Sequence, residues 1–165
     1  MHRTCIAVVD ATRARLFTLD RTDQVGGMQE DFTEHTDLVN PARRKTPAQL
    51  FSDTRPGTNR TGNLQYAFDD HRDAHIDEID AEFARAISEA IARTVDDTSA
   101  RRVVVCASPR MLGMLRAARL PREGLVIDEL PRDYTKLTAP QIRGRLLEHG
   151  LLPAPPPRRG LTRDK

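Results

Sequence analysis

The run RVVVCA, residues 102–107, is apolar at consecutive positions rather than alternate ones. A strand written this way has no face to give to water, so it belongs inside a sheet covered on both sides. The segment ahead of it supplies one cover. Ile76, Ile79, Phe83, Ile87 and Ile91 recur at three- and four-residue steps, which predicts an amphipathic helix over residues 70–95. Asp70, Asp73, Asp77 and Glu78 stand near its expected start, where acids oppose the positive end of the helix dipole. A second helix is expected over PRMLGMLRAARL, with Pro109 in its first turn. GLVIDEL (124–130) reads as another strand. Thr138-Ala-Pro-Gln141 then resembles a capping box opening a last helix, which Gly150 stops.

Upstream, CIAVVD (5–10) and ARLFTL (14–19) read as two hairpin strands. A turn at Val25-Gly26-Gly27 leads to a third strand over residues 28–39, which Asn40-Pro41 ends. The predicted order is β-β-β-α-β-α-β-α. Its first three strands form an antiparallel meander, and helical crossovers make the later pairings parallel. The expectation is a single α/β domain on a mixed sheet over residues 1–150, followed by a disordered Pro-rich basic tail over 151–165.

With 165 residues the chain can bury a core without disulfides or structural metals. Cys5 and Cys106 each lie in an apolar run and form no CxxC, so both are expected as buried thiols. The N-terminus is too soon acidic for a signal peptide, and no run approaches the ~18 apolar residues that span a bilayer. A cytoplasmic protein without a membrane partner is expected. Trp is missing and aromatics make up only 4%, which argues against aromatic platforms that stack single-stranded bases.

The formal charge is only +2, but it is unevenly spread. Residues 40–63 hold Arg43, Arg44, Lys45, Arg55 and Arg60 against Asp53, together with three prolines. They predict a long basic loop over 40–66, broken by one helical turn around Ala48–Phe51. From Arg101 to Arg122 there are six arginines and no acid. Such patches suit a phosphate-rich partner, although solvated surface explains a single patch as well.

The densest group of titratable side chains is DDHRDAH (69–75). On a helix, His71, His75, Glu78 and Glu82 fall within ~60° of one another, a workable transition-metal arrangement. The zinc-protease pattern needs Glu after the first His, and Arg72 stands there instead. An exposed acidic helix start is the plainer reading. Asp10, Asp37 and Asp128 near strand ends could suggest a carboxylate cluster, but Asp is common turn chemistry. Ser52 and Ser108 have no triad partners at recognisable spacing, and neither a P-loop nor GxGxxG is present. No cofactor and no small-molecule substrate are indicated.

Six segments in order, VVDATRARLF, LVNPARR, LFSDTRPG, DEIDAEFARAI, VVVCASPRMLGMLR and RDYTKLTAPQIRGRL, resemble the bacterial host attachment protein family over nearly all of residues 5–148. That family is similar to the central domain of eukaryotic and archaeal peptide-chain release factors and of Pelota-type rescue factors. The resemblance implies an RNase H-like fold, with a loop before the long helix that carries Gly-Gly-Gln in release factors. Here that place reads Thr61-Gly62-Asn63-Leu64-Gln65, and the earlier Gly26-Gly27-Met28-Gln29 is interrupted by Met28. The altered spacing implies binding without peptidyl-tRNA hydrolysis, so an enzyme is not expected.

The leading expectation is a non-hydrolytic ribosome- or structured-RNA-associated factor of the rescue or hibernation type. Arg43, Arg44, Lys45, Arg55 and Arg60 would contact phosphates, with Gly62, Asn63 and Gln65 at the tip and Arg110, Arg116 and Arg119 as a second basic face. The release factors' flanking domains are missing, so docking would rest on this domain or on homo-oligomerisation. The alternatives are a metal-dependent hydrolase using His71, His75 and Glu78, or a protein-interaction factor behind an attachment phenotype.

Overall fold

A computed structural model describes residues 2–44, 64–120 and 123–157. The elements in chain order are β1 (His2–Val9), β2 (Arg13–Gln24), β3 (Gly27–Val39), α1 (Pro41–Arg44), α2 (Leu64–Thr98), β4 (Arg102–Cys106), α3 (Pro109–Ala117), β5 (Val126–Leu130) and α4 (Ala139–Glu148). The five strands form one mixed sheet in the order β3-β2-β1-β4-β5. β2 runs antiparallel to β1 and β3, while β4 runs parallel to β1 and β5. The α/β class, the opening meander and the parallel crossovers are therefore as expected. Gly26 and Gly27 turn the β2–β3 hairpin at φ 120° and 122°, a region glycine enters without steric cost.

Alternation along the strands divides the core into two layers. Cys5, Ala7, Leu16, Val103 and Val105 face α2 and α3, where they meet Phe83, Ile87, Ile91, Met111 and Leu115. Ile6, Val8, Phe17, Leu19, Val104 and Cys106 face the other way, onto Ile142 and Leu146 of α4. Both faces of β4 are thus sealed, which is why RVVVCA carries no polar alternation. The two cysteines sit in opposite layers, and burial pushes each thiol up to about 12.

α2 starts at Leu64, earlier than the stripe predicted, and no acid stands in its first turn. Asp70, Asp73, Asp77 and Glu78 therefore lie inside the helix and do not face the positive end of its dipole. At 35 residues α2 is ~52 Å long, against ~27 Å for β1, so only its later part packs on the sheet. Phe83, Ile87 and Ile91 are buried, whereas Ile76 and Ile79 are half-buried.

The helix ends are specified locally. Ser108 caps α3 by accepting from the Met111 N–H, with Pro109 in the first turn. Thr138 and Gln141 form the capping box of α4, and Gly150 follows that helix at φ 69°. Within residues 151–157, Leu152 is buried in the α4 layer, and Arg143 and Arg21 donate to the Pro153 and Ala154 carbonyls at 2.6 and 3.0 Å. Residues 158–165 lie outside the described residues.

Candidate functional site

From β1 the chain builds outward through β2 and β3, then returns to add β4 and β5 on the other side. The topological switch point therefore falls between β1 and β4. In open α/β sheets the crevice at the carboxyl ends of such strands is where ligands bind. Asp10 ends β1 there, Ser108 and Arg110 follow β4, Asn40 and Arg43 follow β3, and Thr135 follows β5.

Asp10 is occupied on both oxygens. Oδ1 accepts from the Thr12 N–H at 2.7 Å, the Thr12 hydroxyl at 2.8 Å and the Arg13 N–H at 2.7 Å. Oδ2 accepts from the Thr135 hydroxyl at 2.9 Å. Burial alone would raise this carboxyl, but the hydrogen bonds from Thr12, Thr135 and Arg13 together outweigh it and hold it below the ordinary range. Arg15, also buried, extends the connection. It binds Glu34 at 2.7 and 2.9 Å and donates to the Thr135 and Leu137 carbonyls at 3.1 and 2.5 Å. The segment after β5 is thereby tied to the β1–β2 turn.

Asp80 is the centre of the second cluster. It is 0% exposed, on the one helical face shared with Phe83, Ile87 and Ile91. Arg43 binds it bidentately at 2.9 and 2.7 Å, Arg110 donates to it at 2.6 Å, and Arg110 also reaches Asp77. Burial would raise the Asp80 carboxyl, yet the hydrogen bonds and charges of Arg43 and Arg110 together lower it. An unpaired carboxylate at this depth would cost several kcal/mol, so the two guanidiniums are what makes it tolerable.

Residues 5–146 match the family model described as a protein required for attachment to host cells. The chain belongs to that family. No curated protein matches it. Among solved structures, the host attachment family member is similar to the Ppx/GppA phosphatase of Aquifex aeolicus in its type II variant, at 15% identity and a TM-score of 0.39. The similarity covers 79% of this chain and 36% of that one, so the chain spans about a third of the phosphatase.

Three of the arginines expected to reach phosphates in this family member are turned to acids of the protein itself. Arg43 and Arg110 hold Asp80, and Arg116 binds Glu129 through Nε at 3.0 and 2.9 Å and through Nη2. Arg119 is exposed just after α3. The Arg44 backbone closes α1, and Gln65 lies on the first turn of α2. Lys45, Arg55, Arg60, Gly62 and Asn63, and the helical turn expected at Ala48–Phe51, lie outside the described residues, as does Ser52.

His71, His75, Glu78 and Glu82 are exposed on α2. Among the described residues no group of three or more His, Cys, Asp or Glu side chains gathers as a metal site requires. Asp37 is held by Arg13 at 2.7 Å and Asp128 by Arg102 at 2.7 Å, so Asp10, Asp37 and Asp128 are engaged separately. The Ser108 oxygen is taken up by its cap. No helix among the described residues is long and apolar enough to cross a membrane.

Sequence reasoning missed Asp80, Thr135 and Arg15. Asp80 had a usable signal: it continues the spacing of Phe83, Ile87 and Ile91, and a carboxylate inside an apolar stripe needs a buried cation. Thr135 and Arg15 had none, because their partners lie about 120 residues away.

Proposed function

We propose that this host attachment family protein is a binding factor that presents its basic segment, residues 45–63, to structured RNA, with the ribosome as the partner surface. The observation that carries this reading is the Arg43–Asp80–Arg110 cluster. It ties the residues just before the segment to the helix that follows it, at the carboxyl edge of the sheet. The residue that leads into the segment is thereby fixed to the helix that follows it, while the segment's own composition sets Lys45, Arg55 and Arg60 against Asp53. Cations in excess of local acids are what a phosphate backbone selects.

The phosphate-contacting set narrows accordingly. Arg44, Lys45, Arg55 and Arg60 remain, with Arg119 as an outlying contact and Gly62, Asn63 and Gln65 where the segment joins α2. Arg43 and Arg110 act as anchors. The sheet order, with only β2 reversed, agrees with the RNase H-like, release-factor central-domain reading. The interrupted Gly-Gly-Gln argues for binding without hydrolysis. The family description supports a second reading, an interaction factor whose partners are proteins of the attachment process.

Sedimentation with purified ribosomes at low and high salt tests the proposal. Co-sedimentation is expected at low salt, with log affinity falling by roughly 0.7–0.9 per phosphate contact for each log unit of salt. Arg55→Gln with Arg60→Gln should weaken it, and Arg116→Gln should not. Folded protein that stays in the supernatant at low salt overturns the RNA reading, and a pull-down dominated by non-ribosomal proteins favours the second.

A further inference from the structure

α4 has ten residues and reaches ~15 Å, whereas β2 and β3 run to 12 and 13 residues. The second face of the sheet is therefore covered by helix over only part of its length. At the end opposite Asp80, the strand starts and the Gly150–Pro153 segment enclose a groove of about 590 Å³. That volume lies in the range of small-molecule sites, roughly 300–1,000 Å³.

The groove has a cationic side and an apolar side. His2, Arg3, Arg21, Arg101 and Arg102 line it. Two of these cations are matched: Arg3 is paired with Asp20, and Arg102 with Asp128 at 2.7 Å. Arg21 is not fully matched. Its Nε lies 3.4 Å from Glu30, a carboxylate that Arg143 already binds at 2.8 and 3.1 Å, and this buried Nε has no hydrogen-bond acceptor among the described residues. Arg101 is exposed and has no carboxylate partner among the described residues. Among the described residues, the guanidiniums of Arg3, Arg21, Arg102 and Arg143 pair with Asp20, Glu30 and Asp128 here. Beside them, Val126 and Met28 line the same groove at 60% and 40% exposure, and Leu19 and Leu152 complete its apolar part.

We propose that this groove binds a small amphipathic anion, with a phosphate or carboxylate head group at Arg101 and an apolar body against Val126. Arg101 is the primary contact because it gives up no carboxylate on binding, whereas Arg3 and Arg102 would have to release Asp20 and Asp128. Arg21 adds positive charge beside it, with its Nη2 donating to the Ala154 carbonyl at 3.0 Å. The apolar side selects against a bare anion, since exposed Val126 gains only from a ligand that covers it. This site uses no residue of the 45–63 segment and does not depend on the RNA reading.

Calorimetric titration of the full chain with octyl phosphate, inorganic phosphate and octyl glucoside tests it. Octyl phosphate should bind at least about tenfold more tightly than either of the others, since it alone engages both sides of the groove. Arg101→Ala and Val126→Asp, both at exposed positions, should each weaken octyl phosphate by about tenfold with melting temperatures unchanged. Arg119→Ala should leave it unaltered. The proposal is overturned if octyl phosphate does not bind at millimolar concentration, if inorganic phosphate or octyl glucoside binds as tightly, or if both groove variants bind like the parent.

Discussion

Asp80→Asn removes the charge of a fully buried, doubly paired carboxylate while keeping its shape. Breaking a buried pair costs about 3–5 kcal/mol when the remaining charge is trapped. Here the remaining charges are Arg43 and Arg110, whose side chains are 27% and 46% exposed and can turn toward water. The asparagine also keeps one acceptor, so the expected loss is about 2 kcal/mol, and about 3 kcal/mol for Asp80→Ala. For a domain of this size each kcal/mol moves the melting temperature by about 2–4 °C, giving a drop of about 4–8 °C for the asparagine variant. The pH dependence distinguishes charge from packing. The folded Asp80 carboxyl lies below its ordinary value, so its contribution is complete above the unfolded pKa of about 3.9 and is lost as pH falls through the folded value. The gap between parent and variant should therefore be constant from about pH 5 to 8 and narrow below about pH 4. Glu89→Gln is the control: its pair with Arg93 is 4.0 Å long and largely exposed, and losing it should cost under about 0.5 kcal/mol. A variant melting within about 1 °C of the parent at pH 7, or a gap as wide at pH 3 as at pH 7, would refute the reasoning.

Other outcomes follow from the packing. Cys5 and Cys106, buried and with thiols pushed up to about 12, should resist a thiol reagent in the native protein at pH 8 and react only on unfolding. Thr138→Ala, which removes the capping box of α4, should lower stability in urea by about 1 kcal/mol. Leu152→Ala should cost about 2–3 kcal/mol in the same assay, because Leu152 is 3% exposed; a neutral effect would mean that the 151–157 segment does not pack as described.

The elements that could be read in advance are those whose causes are local. RVVVCA specifies a strand sealed on both faces, and the Phe83-Ile87-Ile91 spacing specifies the helix that seals one of them. Ser108-Pro109 and Thr138-Gln141 mark the starts of α3 and α4 through bonds spanning three residues. The start of α2 was misplaced because the polar run from Asp69 to His75 separates Leu64, Tyr66 and Phe68 from the Ile76–Ile91 stripe and interrupts its period. The pairing of the basic face is legible only in three dimensions, for a different reason. A charge count gives the same weight to Arg43, Arg110 and Arg116 as to Arg119, and only tertiary structure brings Asp80 within reach of the first two and Glu129 within reach of the third. Past α4, Pro-rich composition favours disorder, but a short α4 leaves apolar sheet uncovered, and Leu152 fills it. Hydrophobic period and caps act over a few residues and are written into the sequence by themselves. Which cations remain available to a partner depends on carboxylates 13 to 37 residues away, and that is decided only when the chain closes.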